Sequence, residues 1–299
     1  MNTFVEKYTT FLTKEKKVSN NTLESYMRDV NKYVKYLDDN NISDVSAVNR
    51  TTVLNYLLVM QDCGMSPATI SRHLAAIRSF YRYLHQISVI STNPASDVSS
   101  FHVEKKLPQI LTNDEVELFL NQPKVSDLKG CRDKAMLELL YATGIRVSEL
   151  IELTLDDINL EIGYISCKNG KRERVIPLYS AANGAVAEYI QSARKMMVQD
   201  DNDRVLFVNC NGTKLTRQGF WKIVKTYKAQ AEIDKDITPQ TLRHSFAAHL
   251  VENGADLKSI QEMMGHIDIS STQVYAQVVK NKLKDVYSKS HPRAGAGNA

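Results

Sequence analysis

From Leu23 the apolar positions fall at Leu23, Tyr26, Met27, Val30, Tyr33, Val34 and Leu37, the 3.6-residue repeat of a helix with one buried face. Ser66-Pro67 joins an N-cap to a proline at the first helical position, and predicts a helix whose buried stripe is Ile70, Leu74, Ile77, Tyr81 and Leu84. Residues 1–100 carry helical patterning only. Asn93-Pro94 ends it, and residues 103–108 read as an exposed, extended linker. Thr112-Asn113-Asp114-Glu115 has the form of a capping box and opens a second region, in which Gly144 is placed to stop a helix containing Met136, Leu139 and Leu140. The texture then changes. Tyr164-Ile165-Ser166-Cys167 and Arg174-Val175-Ile176 are short strand-like runs around Asn169-Gly170, a hairpin-turn signal, and Val205-Leu206-Phe207-Val208 predicts another short strand. Helices are expected over roughly 180–198, 216–232, 238–253, 257–264 and 271–286. The pattern predicts a mainly α protein: a helical domain over 1–101, a linker over 102–109, and a helix-rich domain with a small β-sheet over 110–299. No internal repeat is visible, and the low-complexity tail 294–299 is expected to be disordered.

Composition narrows the class without naming a function. A chain of 299 residues with 43% hydrophobic positions has room for about two globular domains. No apolar run approaches the ~18 residues of a membrane span, and the first residues lack a basic stretch followed by an apolar core. A cytoplasmic protein with no membrane partner is expected. Cys63, Cys131, Cys167 and Cys210 are far apart and form no C-x-x-C pair, which reads as reduced thiols rather than disulfides or a zinc site. The histidines do not cluster like metal ligands either; His244 and His249, five apart, lie on different faces of a helix. No metal and no cofactor are expected. A net charge of +4 permits a nucleic-acid partner but is too slight to argue for one. On the Ser66 helix, Arg72, Arg78 and Arg82 occupy a different arc from the stripe. They form either a solvated polar face or a row of contacts to DNA phosphates.

Four stretches are candidates for chemistry. Ala142-Thr143-Gly144-Ile145-Arg146-Val147-Ser148-Glu149-Leu150 puts Arg146 just past a helix end. Cys167-Lys168-Asn169-Gly170-Lys171-Arg172-Glu173-Arg174 is a hairpin crowded with cations. Thr238-Pro239-Gln240-Thr241-Leu242-Arg243-His244-Ser245-Phe246 is a capped helix start. Met264-Gly265-His266 is followed nine residues later by Tyr275. Each has an ordinary structural explanation: an Arg146–Glu149 ion pair, a solvated hairpin, a helix-end histidine, a core tyrosine. Together and in this order they resemble the tyrosine recombinases, the phage integrase family, and its Xer-type members in particular. Asn21-Thr22-Leu23-Glu24-Ser25-Tyr26 and the helix from Ser66 to Leu84 extend the likeness over nearly the whole chain.

The resemblance implies a two-domain DNA clamp: an N-terminal SAM-like core-binding domain and a catalytic domain with a C-terminal docking helix. It also implies roles. Arg146 and Arg243 would hold the non-bridging oxygens of a scissile phosphate, where two guanidinium forks stabilise developing charge. Tyr275 would be the nucleophile, leaving a 3′-phosphotyrosine and a free 5′ hydroxyl. Covalent storage of the bond energy dispenses with metal and ATP. Lys168 would protonate the departing 5′ oxygen; counting back from Pro177 instead makes Lys171 the alternative. His266 would bond the phosphate or assist the nucleophile, and Glu149 would brace the arginines. One departure stands out: family members commonly have histidine where this chain has Gln240. Glutamine can position a phosphate or phenol but cannot take a proton, and a phenol of pKa ~10 is about 0.1% ionised at neutral pH.

The implied partners are a double-stranded DNA recombination site, and a tetramer on two duplexes made of this chain alone or with a related recombinase. A DNA translocase activator is a further implied partner. Val279, Leu283 and Val286 would form the stripe of the docking helix. The chain enters its core-binding helices almost at once, which favours chromosome dimer resolution over an integrase with an extra arm-binding domain. A mobile-element integrase, a type IB topoisomerase-like enzyme and a catalytically decayed DNA-binding protein are the competing readings.

Overall fold

The computed structural model describes residues 1–99, 107–169, 172–200, 203–265, 269 and 271–280. The expected linker thus falls largely outside the described residues, as do Lys171, His266 and everything after Lys280, including Leu283 and Val286 of the expected docking stripe. The chain forms two compact units, Met1–Lys105 and Lys106–Ala299.

The first unit is built from α1 (Asn2–Lys14), α2 (Asn20–Asp39), α3 (Arg50–Asp62) and α4 (Pro67–Gln86). Ser66 caps α4 by accepting the Thr69 N–H, with Pro67 in the first turn. The stripe Ile70, Leu74, Ile77, Tyr81 and Leu84 is buried throughout, and α4 packs on Val30, Tyr33, Val34 and Leu37 of α2 in one core. Aromatic pairs sit among these aliphatic side chains: Tyr33 meets Tyr56 and Tyr81, and Tyr8 meets Phe80, edge-on.

The same core contains a charge that periodicity does not reveal. Asp29 on α2 is fully buried, ion-paired with Arg72 and 3.1 Å from Nε2 of His73, both on α4. Arg78 likewise turns inward, donating from Nε to the Ala95 carbonyl and from Nη2 to that of Val98. Arg72 nevertheless stays 41% exposed, and Arg78 and the exposed Arg82 line one surface cleft with His85 and Ser91. Arg72→Ala should therefore destabilise the protein by about 3 kcal/mol, because it strips a buried carboxylate of its main counter-charge. Chemical denaturation checks this, and a midpoint equal to the parent's would show that Asp29 needs no partner.

In the second unit, Thr112 and Glu115 form the expected capping box at α5 (Asn113–Leu120). α6 (Leu128–Thr143) runs through the core and ends at Gly144 in the left-handed conformation, φ +57°. A Cβ there would come 2.2 Å from Cδ1 of Phe246, so both backbone and space require glycine. α7 (Val147–Glu152) follows at once. A three-stranded antiparallel sheet comes next: β1 (Ile158–Asn159), β2 (Tyr164–Asn169) and β3 (Arg172–Pro177), with Ile165 opposite Ile176 and Lys168 opposite Glu173. Asn169 pairs with Arg172, and the rest of the turn expected at Asn169-Gly170 lies outside the described residues.

Two expectations are corrected. The helix expected at 180–198 is α8 (Ser180–Glu188), a π-helical stretch Tyr189–Arg194, and a last turn α9 (Lys195–Met197). The wider π turn lets Tyr189, Ala193 and Arg194 all face inward, where Arg194 donates to the Val205 carbonyl. The strand expected at 205–208 is not a ladder: Val205 bridges only Thr154, and Val208 only Lys214. Its apolar side chains mark burial, while its backbone pairs in isolated bridges, the Leu206 N–H donating to the Leu153 carbonyl. α10 (Arg217–Ala231), α11 (Pro239–Glu252) and α12 (Leu257–Met264) complete the unit, with residues 271–280 also helical.

Candidate active site

α11 organises the site. Thr238 caps it by accepting the Thr241 N–H, and Pro239 supplies the first turn. Its far side is tied to the start of the domain. Ser245 Oγ accepts the Leu111 N–H, and His249 Nε2 donates to the Leu111 carbonyl, leaving Nδ1 to accept from the Tyr141 hydroxyl. Gln240 and Arg243, three residues apart, share one face. They line a cleft of about 400 Å³ with Arg146, Ser148, Arg217 and Trp221. Arg146 and Ser148 also line a second cleft of about 560 Å³, which Lys168 lines with them. Arg146 thus stands at a groove shared with Gln240 and Arg243, and Lys168 lines the second cleft that Arg146 borders.

Arg146 reaches that groove because the helix breaks twice around it: α6 stops at Gly144, and Arg146 is the N-cap of α7 with extended ψ of 150°. Glu149 accepts its backbone N–H at 2.8 Å and its guanidinium at 3.3 Å, yet the side chain stays 40% exposed. Arg243 is the opposite case, only 3% exposed. Burial and the nearby Arg146 charge push its guanidinium down to about 10, which leaves it a cation at neutral pH.

A third arginine completes the set. Arg174 on β3 donates twice to Glu149, at 3.0 and 2.8 Å. The three guanidiniums then converge on successive carbonyls at the C-terminus of α12: Arg174 on Met263, Arg243 on Met264, Arg146 on Gly265. Those carbonyls are the electronegative end of a helix dipole and have no partner within the helix, so cations suit them. Gly265 closes the helix at φ +63°, where a Cβ would lie 2.9 Å from Arg174 Nη1. Residue 266, whose histidine is outside the described residues, follows directly.

Glu149 is the hub of this arrangement. Burial alone would raise its carboxyl, but the Arg174 bond, the Arg146 N–H and the two arginine charges outweigh it, so the group is held below the usual carboxylate range. A depressed folded value means its stabilisation is present above the unfolded pKa and is lost as pH falls through the folded one. Glu149→Gln should therefore melt well below the parent at pH 7 and converge with it in acid. A gap that stays undiminished as the solution is acidified would show that charge is not the cause.

Tyr275 lies on the helix over 271–280 and is 2% exposed, packed on Phe246, Ala247, Ile260 and Met264. Its hydroxyl is 2.9 Å from Nδ1 of His244, the residue after Arg243. Burial raises the phenol pKa, against the pull of the Arg243 charge. Burial, then Arg243, push His244 down to about 4, so the imidazole is neutral at pH 7. Lys168 is 66% exposed and 3.5 Å from Asp157 Oδ1. Sequence reasoning passed over Arg174 and His244. Arg174 left a signal, since strand alternation puts it on the buried face with Ile176 while Val175 points out. His244 left none, because its partner arrives only through tertiary folding.

The chain matches the phage integrase family over residues 109–282 and the phage integrase N-terminal SAM-like domain over residues 5–86. It belongs to this family: it is a tyrosine recombinase, a site-specific DNA recombinase. Among similar proteins is the tyrosine recombinase XerD of Oceanobacillus iheyensis, 46% identical over 293 residues, covering 97% of this chain and 98% of that protein. The tyrosine recombinase XerD of Halalkalibacterium halodurans is 46% identical over 297 residues, covering 98% and 99%. The fold is shared with the XerH site-specific recombinase bound to palindromic difH substrate in a post-cleavage complex, TM-score 0.78 at 22% identity, covering 95% of this chain and 84% of that one. It is shared too with a lambda integrase dimer bound to a COC' core site, TM-score 0.74 at 17% identity, covering 92% and 94%. No helix among the described residues is long and apolar enough to cross a membrane.

Proposed function

We propose that this recombinase resolves chromosome dimers, cutting each strand with Tyr275 as nucleophile. The phenol oxygen bonds to the scissile phosphorus as the bond to the 5′ oxygen breaks, giving a 3′-phosphotyrosine and a 5′ hydroxyl. Attack of a 5′ hydroxyl from the other duplex reverses the chemistry and joins new partners. Arg146 and Arg243 bind the non-bridging oxygens, where charge accumulates in phosphoryl transfer. Lys168, or Lys171 in its place, protonates the leaving oxygen. His266 bonds the phosphate, and Gln240 positions it through its amide.

The observation that carries this reading is the convergence of Arg146 and Arg243 on adjacent carbonyls of one helix end, with Gln240 lining a cleft beside both and Lys168 lining a second cleft that shares Arg146. Two anchored cations in a groove, one half-exposed and one buried, suit a diester carrying one negative charge. The XerD relatives, matched nearly end to end, support the chromosomal assignment. The two units, Arg82 among their exposed cations, would close on a duplex as a clamp, with binding that weakens steeply as salt rises. The working assembly is a tetramer on two duplexes, of this chain or of this chain with a related recombinase, and is switched on by a DNA translocase. It acts in the cytoplasm.

The test is incubation with fragmented host DNA in the presence of a chelator, followed by recovery and sequencing of denaturant-resistant protein–DNA adducts. The recovered site is then placed on two distinguishable duplexes. A single chromosomal site and product strands drawn from both duplexes are expected. Sites at the ends of mobile elements would overturn the chromosomal role, and products from one duplex only would indicate a relaxing enzyme.

A further inference from the structure

We infer that His244 is a catalytic residue, the group that accepts the phenol proton when Tyr275 attacks the phosphate. The inference rests on the reading of Tyr275 as the nucleophile. Something must take that proton, and Gln240 has no basic nitrogen to do so. His244 does, and it alone among the described residues has one at hydrogen-bond distance from the Tyr275 hydroxyl, 2.9 Å away. The rings meet with centroids 5.6 Å apart and planes at 49°.

The placement is fixed from both sides. His244 is held on α11 between Arg243 and Ser245, whose side chains are locked to carbonyls at the ends of α6 and α12 and to the Leu111 N–H. Tyr275 is held by the packing of its ring on Phe246 and Met264. Among the described residues the charged and titratable neighbours are few. Arg243 adjoins His244 on α11; Arg146, Glu149 and Arg174 surround Arg243; Tyr141 on α6 packs on the cluster that holds the Tyr275 ring.

In the free protein, burial and Arg243 keep the imidazole neutral, the state in which Nδ1 can accept. A phosphate bound between Arg146 and Arg243 brings a negative charge that offsets Arg243 and raises the basicity of His244 as the phenol needs it. The step balances. The Tyr275 O–H bond breaks and its proton moves to Nδ1, the oxygen–phosphorus bond forms, and the 5′ oxygen departs with a proton from Lys168. On rejoining, the imidazolium returns its proton to the departing phenol oxygen, so His244 acts as base in cleavage and acid in ligation.

The test uses a synthetic duplex carrying the recovered adduct site, nicked so that the cut strand cannot rejoin, with the full-length parent, His244→Phe and His244→Asn. Phenylalanine keeps the ring and removes the acceptor; asparagine keeps a hydrogen-bonding group near Nδ1 without its basicity. Both should bind the duplex like the parent. Both should cleave at least about 100-fold more slowly at pH 7, the usual size of a lost general base. Their rates should then climb steeply towards pH 9 as the phenol ionises unaided, while the parent stays flat from pH 6 to 8. His244→Phe cleaving at the parent rate, or slowed by the same factor at every pH, would overturn the inference. Full activity in His244→Asn would do so too, by reducing the contact to orientation. An adduct on a residue other than Tyr275 would overturn both this inference and the proposed function; one on Tyr275, formed equally by all three proteins, would overturn the inference alone.

Discussion

Tyr275→Phe should bind the recombination site like the parent and form no covalent adduct at all. Phenylalanine fills the same space, so the ring keeps its packing on Phe246, Ala247, Ile260 and Met264. What it loses is one oxygen, whose only described bond is to His244. Losing one half-buried hydrogen bond costs about 1 kcal/mol in stability, too little to unfold a domain of this size. The chemical loss is total, because no other atom can form the phosphotyrosine bond. Gel electrophoresis after denaturation, set beside a binding titration, reads both quantities. A residual adduct from the variant would mean that another of the fourteen tyrosines attacks.

Arg243→Lys should cut the cleavage rate by roughly 10²–10³-fold, the usual result of removing one charge-stabilising donor at a reacting centre. The substitution keeps the positive charge, so the loss measures geometry. A guanidinium fork can hold the Gly144 and Met264 carbonyls together and still present a planar edge to a phosphate; an ammonium is a point donor that cannot span them. Burial adds to the effect, since an ammonium in the same 3%-exposed position gives up its proton more readily than a guanidinium does. Single-turnover cleavage against pH separates the two causes. A rate restored at low pH would assign the loss to deprotonation, and one low at every pH would assign it to the missing fork. Wild-type cleavage by the lysine variant would remove Arg243 from the reaction.

Much of this architecture can be read in the chain, for reasons that differ by element. α4 is legible because Ser66-Pro67 marks its start and its stripe repeats without interruption. α6 is legible at its end, because only glycine tolerates φ +57° against Phe246. The segment at 205–208 misleads because alternation and full burial look alike in four apolar residues; three of them are buried, yet the backbone bends away between its two bridges. Asp29 is invisible for another reason. Its counter-charge is Arg72, 43 residues on, and a carboxylate on a helix reads as solvent-facing until the partner is known. The candidate site divides the same way. Arg146 and Arg243 stand out by their setting at a helix break and a capped helix start, whereas the Tyr275–His244 contact depends on how two helices dock.

The three arginines on the end of α12 bear on how a lineage of such proteins could lose its activity. Met263, Met264 and Gly265 present carbonyls that the fold itself needs covered, so Arg174, Arg243 and Arg146 are held by foldability as well as by chemistry. A descendant released from any demand to cut DNA would pay in stability for discarding them. The Tyr275 hydroxyl has no such second duty, and a drift to phenylalanine would leave the core intact. Among silent descendants of this protein the arginines should therefore outlast the tyrosine, and the arginine pair alone is a poor witness to a living enzyme.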